Sequence, residues 1–155
     1  GRLIIPREGR DVMAEQDKQI VQSASKFERI RKAHQSEVAE DYVEMIADLI
    51  DETGEARAVD LAARFGVTSP TVNATIQRLQ REGLVISKPY RSIFLTDNGR
   101  ALAESSKQRH DVVRNFLIEI GVEPSVAEED AEGVEHHVSP ETLEKFSEFL
   151  RKSGH

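Results

Sequence analysis

"EARAVDLAARFGVTSPTVNATIQRLQREG", residues 55–83, breaks into two short helical patterns around a turn. The spacing predicts a first helix over about 58–65 that buries Val59, Leu61, Ala62 and Phe65 and stops at Gly66. "VTSP" reads as the turn, with Ser69 as a helix cap and Pro70 at the first helical position, where its missing N–H costs nothing. A second helix follows over about 70–81, with Val72, Ile76 and Leu79 inward, ending at Gly83. A short helix, a glycine-containing turn and a capped second helix make the helix-turn-helix layout.

Outward from this core the pattern continues. "LVISKPYRSIFLT" carries two β-rich runs, 84–87 and 92–96, around the basic tip "KPYR", which predicts a hairpin, or wing. Upstream, Ser36 caps an expected helix with Val38, Tyr42, Ile46, Leu49 and Ile50 at helical spacing, closed by Gly54. Downstream, Asp97 caps a long helix to about Ile120, with Leu102, Val113, Phe116 and Leu117 on apolar positions. A helix from Pro124 to about His137 and a last one with Leu143, Phe146, Phe149 and Leu150 complete the chain. Residues 1–36 are mostly polar and read as a flexible arm with a short helix near 24–34. The expected architecture is mostly α: a winged helix-turn-helix over 37–100 followed by an all-helical module over 101–155.

Composition sets limits on function. The 155 residues hold no cysteine, so disulfides, thiolate zinc sites, iron–sulfur clusters and cysteine nucleophiles are excluded, and any metal must be held by oxygen and nitrogen. No apolar run approaches the roughly 18 residues that span a bilayer, and "RLIIP" is too short for a signal-peptide core, so a cytoplasmic location with no membrane partner is expected. The net charge of −7 argues at first against nucleic acid. Its distribution reverses that: residues 57–114 carry ten bases and five acids, whereas 37–56 carry eight acids and no base, and 115–155 carry ten acids and three bases. A local basic surface between acidic segments indicates a distinct task for that surface.

In a helix-turn-helix the second helix enters the major groove and its N-terminal residues meet base edges. Here those are Ser69, Pro70, Thr71, Asn73 and Ala74, with Gln77 one turn further. Asn and Gln read adenine in bidentate fashion, while Thr and Pro offer apolar contacts to thymine methyls. Arg64, Arg78, Lys88, Tyr90 and Arg91 are candidates for phosphate contacts, which position a protein without reading sequence. The partner implied is double-stranded DNA, although winged helices also serve as protein-interaction modules.

Two acidic stripes remain. In "DAEGVEHHVS", 130–139, Glu132, Glu135 and His136 stand at i, i+3 and i+4 and share one helical side, with His137 about a quarter-turn away. In the helix upstream of the helix-turn-helix, Glu37, Asp41, Glu44 and Asp48 form a second stripe. Either is a half-set of ligands for a divalent cation, and either alone also fits a solvated acidic face. His110, in "RHDVVRNFL", is by itself an ordinary packing or surface histidine.

Together, "EDYVE", "RHDVVRNFL" and "DAEGVEHHVS", in that order around a winged helix-turn-helix, resemble the diphtheria-toxin-repressor (iron-dependent repressor) family of metal-dependent transcriptional regulators, in its manganese-responsive branch. The resemblance covers about residues 37–152. It implies a homodimer in which a DNA-binding domain and a helical metal-binding and dimerisation domain clamp two divalent ions per protomer. Carried onto this chain, the implied ligands are Asp41, Glu44, His110, Glu132, Glu135 and His136, while Glu37, Asp48 and His137 have no ligand counterpart. The iron-sensing branch places a sulfur-containing residue where this chain has Glu132, and a carboxylate suits the harder Mn²⁺. Fe²⁺ and Zn²⁺ are expected to bind in vitro as well. One departure is Ala74, where the family pattern has lysine, which bears on the operator sequence and not on the fold.

The resemblance implies a repressor of manganese-uptake genes acting on a palindromic operator, and no enzyme. Three other readings stand beside it. A metal-independent winged-helix regulator of an organic effector would keep its DNA binding when Glu132 or His136 is lost. A pure scaffold would bind no DNA. A carboxylate-bridged di-iron enzyme would call for Glu-x-x-His, but the residues three before His136 and His137 are Gly133 and Val134.

Overall fold

Between Asp11 and Thr53 the chain has no glycine and no proline, and its polar residues there are largely the helix formers Glu, Gln, Lys and Arg. A computed structural model, which describes residue 4 and residues 6–154, accordingly has one helix, α1, over Arg7–Thr53. This corrects the short helix expected near 24–34 and the expected cap at Ser36, which is interior to α1. Polarity lowers burial, not helix propensity. Residues 1–3 and 5 of the expected arm lie outside the described residues. The chain divides into two compact units, residues 1–35 and residues 36–155. In the first unit the apolar side chains Val12, Met13, Ile20, Val21, Phe27 and Ile30 are all exposed.

The second unit is built on the last third of α1, where Ala39, Tyr42, Val43, Ile46 and Leu49 are buried at helical spacing. Against them pack Leu61 of α2 (Ala58–Phe65) and Val72, Ile76 and Leu79 of α3 (Ser69–Arg81). The Tyr42 ring stacks on Phe65 with centroids 4.5 Å apart. Val59, expected inward, is 65% exposed, because Leu61 takes the one fully buried position that so short a helix offers. Gly66 ends α2 in the left-handed conformation (φ 65°), which turns the chain into α3.

The α3 cap is Thr68 rather than Ser69: its Oγ1 accepts from the Thr71 amide at 3.3 Å, and Ser69 already lies in the helix. β1 (Val85–Ile86) and β2 (Phe94–Leu95) pair antiparallel, Val85 with Leu95 and Ile86 with Phe94, inside the longer runs expected. A third segment joins them, since the Ile93 amide donates to the Ala56 carbonyl at 2.7 Å. α4 (Asp97–Glu119) is capped by Thr96 rather than Asp97, with Oγ1 accepting from the Gly99 amide at 3.0 Å. Its C-terminal part packs against α5 (Pro124–Val134) and α6 (Pro140–Lys152), where Phe116 stacks on Phe146 with centroids 3.9 Å apart.

Gly99 locks wing to helix. A Cβ there would stand 2.0 Å from the Leu84 carbonyl oxygen, which itself accepts from the Thr96 amide at 3.1 Å. Gly99→Ala therefore forces two backbone segments apart. We expect a loss of about 1–3 kcal/mol, the range for overpacked cores, read as a lower urea midpoint. A midpoint equal to that of the unsubstituted protein would show that the contact yields freely.

Candidate metal centre and nucleic-acid interface

The recognition face is displayed as the helix-turn-helix requires. Ser69, Pro70, Thr71, Asn73, Ala74 and Gln77 are all exposed on α3. The wing tip folds over itself, the Arg91 amide donating to the Lys88 carbonyl at 3.1 Å, and Tyr90 stands fully exposed with a left-handed backbone (φ 62°). Asn73, Gln77, Lys88, Tyr90 and Arg91 line one cleft of about 820 Å³ between α3 and the wing. Gln80, which sequence reasoning missed, ties the two together by donating to the Ser87 carbonyl at 3.0 Å. Two expected phosphate contacts are engaged elsewhere: Arg64 pairs with Glu52 at 2.9 Å, and half-buried Arg78 sits 3.6 Å from Glu82.

The acidic cluster forms where α1, α4 and the turn after α5 meet. Glu132 lies in the last turn of α5, whereas Glu135 and His136 lie just beyond it, since the helix ends at Val134 rather than near His137. His136 Nε2 is 3.0 Å from Asp41 Oδ1 and 3.3 Å from Glu135 Oε1. His110 Nδ1 is 2.9 Å from Glu135 Oε2, so Glu135 stands between the two imidazoles. Glu44 accepts from the Ser106 hydroxyl, and its charge is felt at Glu135. Glu132 shares a potential metal group with His110 and Glu128. All six residues implied by the resemblance thus belong to one connected cluster.

The structure adds residues to that set. Glu128 reaches His110 Nε2 at 2.8 Å, and Glu37 joins Asp41 and His136 in a second potential metal group. Glu37 also receives His137 at 3.1 Å, while Asp48 is exposed. Glu40 is buried, with His136 Nδ1 at 2.6 Å and Arg109 at 3.1 Å. A stripe rule finds residues that share a helix side, and Glu128 at i−4 from Glu132 was within its reach. Glu40, at i+3 from Glu37 and i−4 from Glu44, was within its reach too, but nothing in the sequence marked it as the buried acid of that run.

The electrostatics are those of a pocket in which carboxylates outnumber the cations beside them. Burial, then the nearby charges of Asp41 and Glu132, push Glu44 up despite the Ser106 hydrogen bond. Glu135 is pushed up to about 7, chiefly by burial, with Glu44 and Glu132 adding to it. Burial alone would lower His136, but contacts to Asp41 and Glu40 outweigh it and raise it to about 10. His110 rises for the same reason, through Glu128 and Glu135. Protons on these groups supply the positive charge the pocket needs, and a divalent cation supplies the same charge.

The donor set fits such a cation. Both Glu135 oxygens and His136 Nε2 are buried without a hydrogen-bond partner, which a cation displacing the protons of the cluster would provide. All the donors are carboxylate oxygen or imidazole nitrogen, a set suited to Mn²⁺ and to other divalent first-row ions.

Fold and cluster together define a winged-helix DNA-binding regulator with a cation-ready pocket behind its DNA-reading helices. Comparison with known proteins makes this specific. Residues 34–93 match the iron dependent repressor N-terminal DNA binding domain, and residues 96–155 match the iron dependent repressor metal binding and dimerisation domain. The transcriptional regulator MntR of Escherichia coli O6:H1 is 52% identical over 128 residues, 83% of each chain. A solved manganese-dependent transcriptional repressor in complex with manganese is 30% identical over 72% of this chain, with a TM-score of 0.65. ScaR with bound Zn²⁺ is 26% identical over 73%, with a TM-score of 0.64. This chain spans about half the length of those two structures, 52% and 53%. The chain belongs to the iron-dependent repressor family of DNA-binding transcriptional regulators.

Proposed function

We propose that this chain is a manganese-responsive transcriptional repressor that acts as a metal-loaded homodimer on a palindromic operator and controls manganese-uptake genes. The observation that carries the reading is the convergence of Asp41 and Glu44, on the helix that underlies the DNA-binding half, with Glu135 and His136 from beyond α5. The proposed ligands are Asp41, Glu44, His110, Glu132, Glu135 and His136, holding two Mn²⁺ per protomer, with Glu37 and Glu128 as further oxygen donors at the margins. Fe²⁺ and Zn²⁺ suit the same donors, since neither requires sulfur.

A divalent cation held there would supply positive charge to the pocket, and the residues that would hold it come from α1, α4, α5 and the turn after α5. The residues do the rest. Asp41 and Glu44 lie within a few turns of Tyr42 and Ile46, which pack on α2 and α3, so a constraint on those carboxylates is transmitted to the recognition helix through close-packed side chains. Coupling of this kind between metal and DNA sites is typically about 1–3 kcal/mol and is reciprocal. Exposed Ile118, Ile120, Val126, Val134 and Phe149 on the helical module support a homodimer, since apolar side chains gathered on one module mark an interaction surface. A two-fold dimer would present two α3 helices to half-sites about one helical turn apart.

Metal-titrated fluorescence anisotropy on operator DNA tests this. The midpoint for DNA is expected to fall about 5–150-fold on going from chelator to saturating Mn²⁺, the range of typical coupling energies. Equal affinity in both conditions would leave a winged-helix regulator answering to something other than metal.

A further inference from the structure

Glu40 and Arg109 form a buried ion pair that the proposed ligand set does not use. The Glu40 side chain is 7% exposed and that of Arg109 19%, and Glu40 Oε1 lies 3.1 Å from Arg109 Nη2. Its other oxygen, Oε2, accepts from His136 Nδ1 at 2.6 Å. On the far side of the same ring, Asp41 meets Nε2 at 3.0 Å. Two consecutive residues of α1 therefore grip opposite nitrogens of one imidazole, and the ring is 1% exposed.

The division of labour follows from chemistry. An imidazole that donates from Nδ1 has its lone pair on Nε2, and a carboxylate on the N–H fixes both tautomer and ring plane while raising the basicity of the free nitrogen. Arg109 holds the second Glu40 oxygen, so the carboxylate cannot swing away, and its charge cancels that of Glu40 within the pair. A buried charged pair is expensive to desolvate and gives little net stability, so its retention points to a task of orientation.

The sequence positions carry a further consequence: Glu40 adjoins Asp41 on α1, and Arg109 adjoins His110 on α4. We infer that the Arg109–Glu40 pair positions His136, aiming Nε2 at the cation and setting α1, α4 and the turn after α5 at one spacing before metal arrives. This rests on the reading of His136 as a ligand.

Three variants of the full chain test it: Glu40→Gln, Arg109→Lys and His136→Ala, each checked for an unchanged thermal transition. Mn²⁺ affinity is measured by the electron paramagnetic resonance signal of the free ion. Glu40→Gln, nearly isosteric, is expected to weaken Mn²⁺ binding about 10–100-fold, as loss of an outer-shell partner does. Arg109→Lys, which keeps the charge but not the fork, is expected to lose less. In the diamagnetic Zn²⁺-loaded protein the His136 Nδ1 proton is expected as a slowly exchanging downfield resonance, and Glu40→Gln is expected to shift it upfield and speed its exchange. If Glu40→Gln binds Mn²⁺ as the unsubstituted protein does while His136→Ala does not, the positioning role is overturned and the ligand reading survives. If His136→Ala itself binds normally, both fall.

Discussion

His136→Ala is expected to abolish metal control of DNA binding while leaving the fold intact. The substitution removes the one imidazole that touches Asp41, Glu135 and Glu40 together, at 3.0, 3.3 and 2.6 Å. The Glu40 carboxylate keeps its Arg109 partner, so no buried charge is orphaned and the structural cost stays small. The loss of a direct ligand exceeds the roughly 10–100-fold cost of an outer-shell partner, so Mn²⁺ affinity is expected to fall by more than about 100-fold. Operator affinity is then the same with Mn²⁺ and with chelator. His137→Ala is the control: that ring is 53% exposed and pairs with Glu37, outside the six proposed ligands, so the metal response persists. Anisotropy titrations on both variants decide it, and a normal metal response in His136→Ala would remove His136 from the site.

Leu61→Ala is expected to carry a large stability cost. Leu61 is wholly buried and is the only buried residue of α2, the eight-residue helix that sets the recognition helix against α1. Deleting its side chain leaves a cavity bounded by a close-packed core, at a cost of about 2–5 kcal/mol. Against a total of about 5–15 kcal/mol for a typical domain, this lowers the urea midpoint sharply with an unchanged slope. Val59→Ala, two residues earlier at 65% exposure, is expected to change stability by no more than about 0.5 kcal/mol. Equal midpoints for the two variants would show that Leu61 does not anchor the helix-turn-helix.

Much of the architecture could be read along the chain because it depends on local rules. Gly66, the threonine-rich turn and the periodic Val72, Ile76 and Leu79 determine two helices and the bend between them. Where the structure departs from these expectations, the reasons are local as well. Ser69 and Asp97 each follow a threonine, and in both cases the threonine one residue earlier has the extended backbone that a cap needs, with ψ of 156° at Thr68 and 173° at Thr96. The arm expected over residues 1–36 is helical from Arg7 onward, because polarity lowers burial and not helix propensity, and no glycine or proline falls between Asp11 and Thr53. Val59 and Leu61 look equivalent in sequence, and only the packing of α2 on its neighbours separates them.

The candidate site divides differently. Residue types, charge segregation and the order of three short motifs determined by themselves the chemistry available: hard donors, no sulfur, a basic reading face between acidic flanks. Helical spacing placed Glu132, Glu135 and His136 near one another, because that relation spans a single turn. Which atoms meet was decided only by tertiary structure. Glu40 and His136 lie 96 residues apart, and no periodicity relates them. Asp41 and Glu40 are adjacent acids in sequence, yet one meets Nε2 and the other Nδ1 of the same ring. Contacts between elements depend on how helices pack and cross, a property of the assembled core that is not written in any one segment.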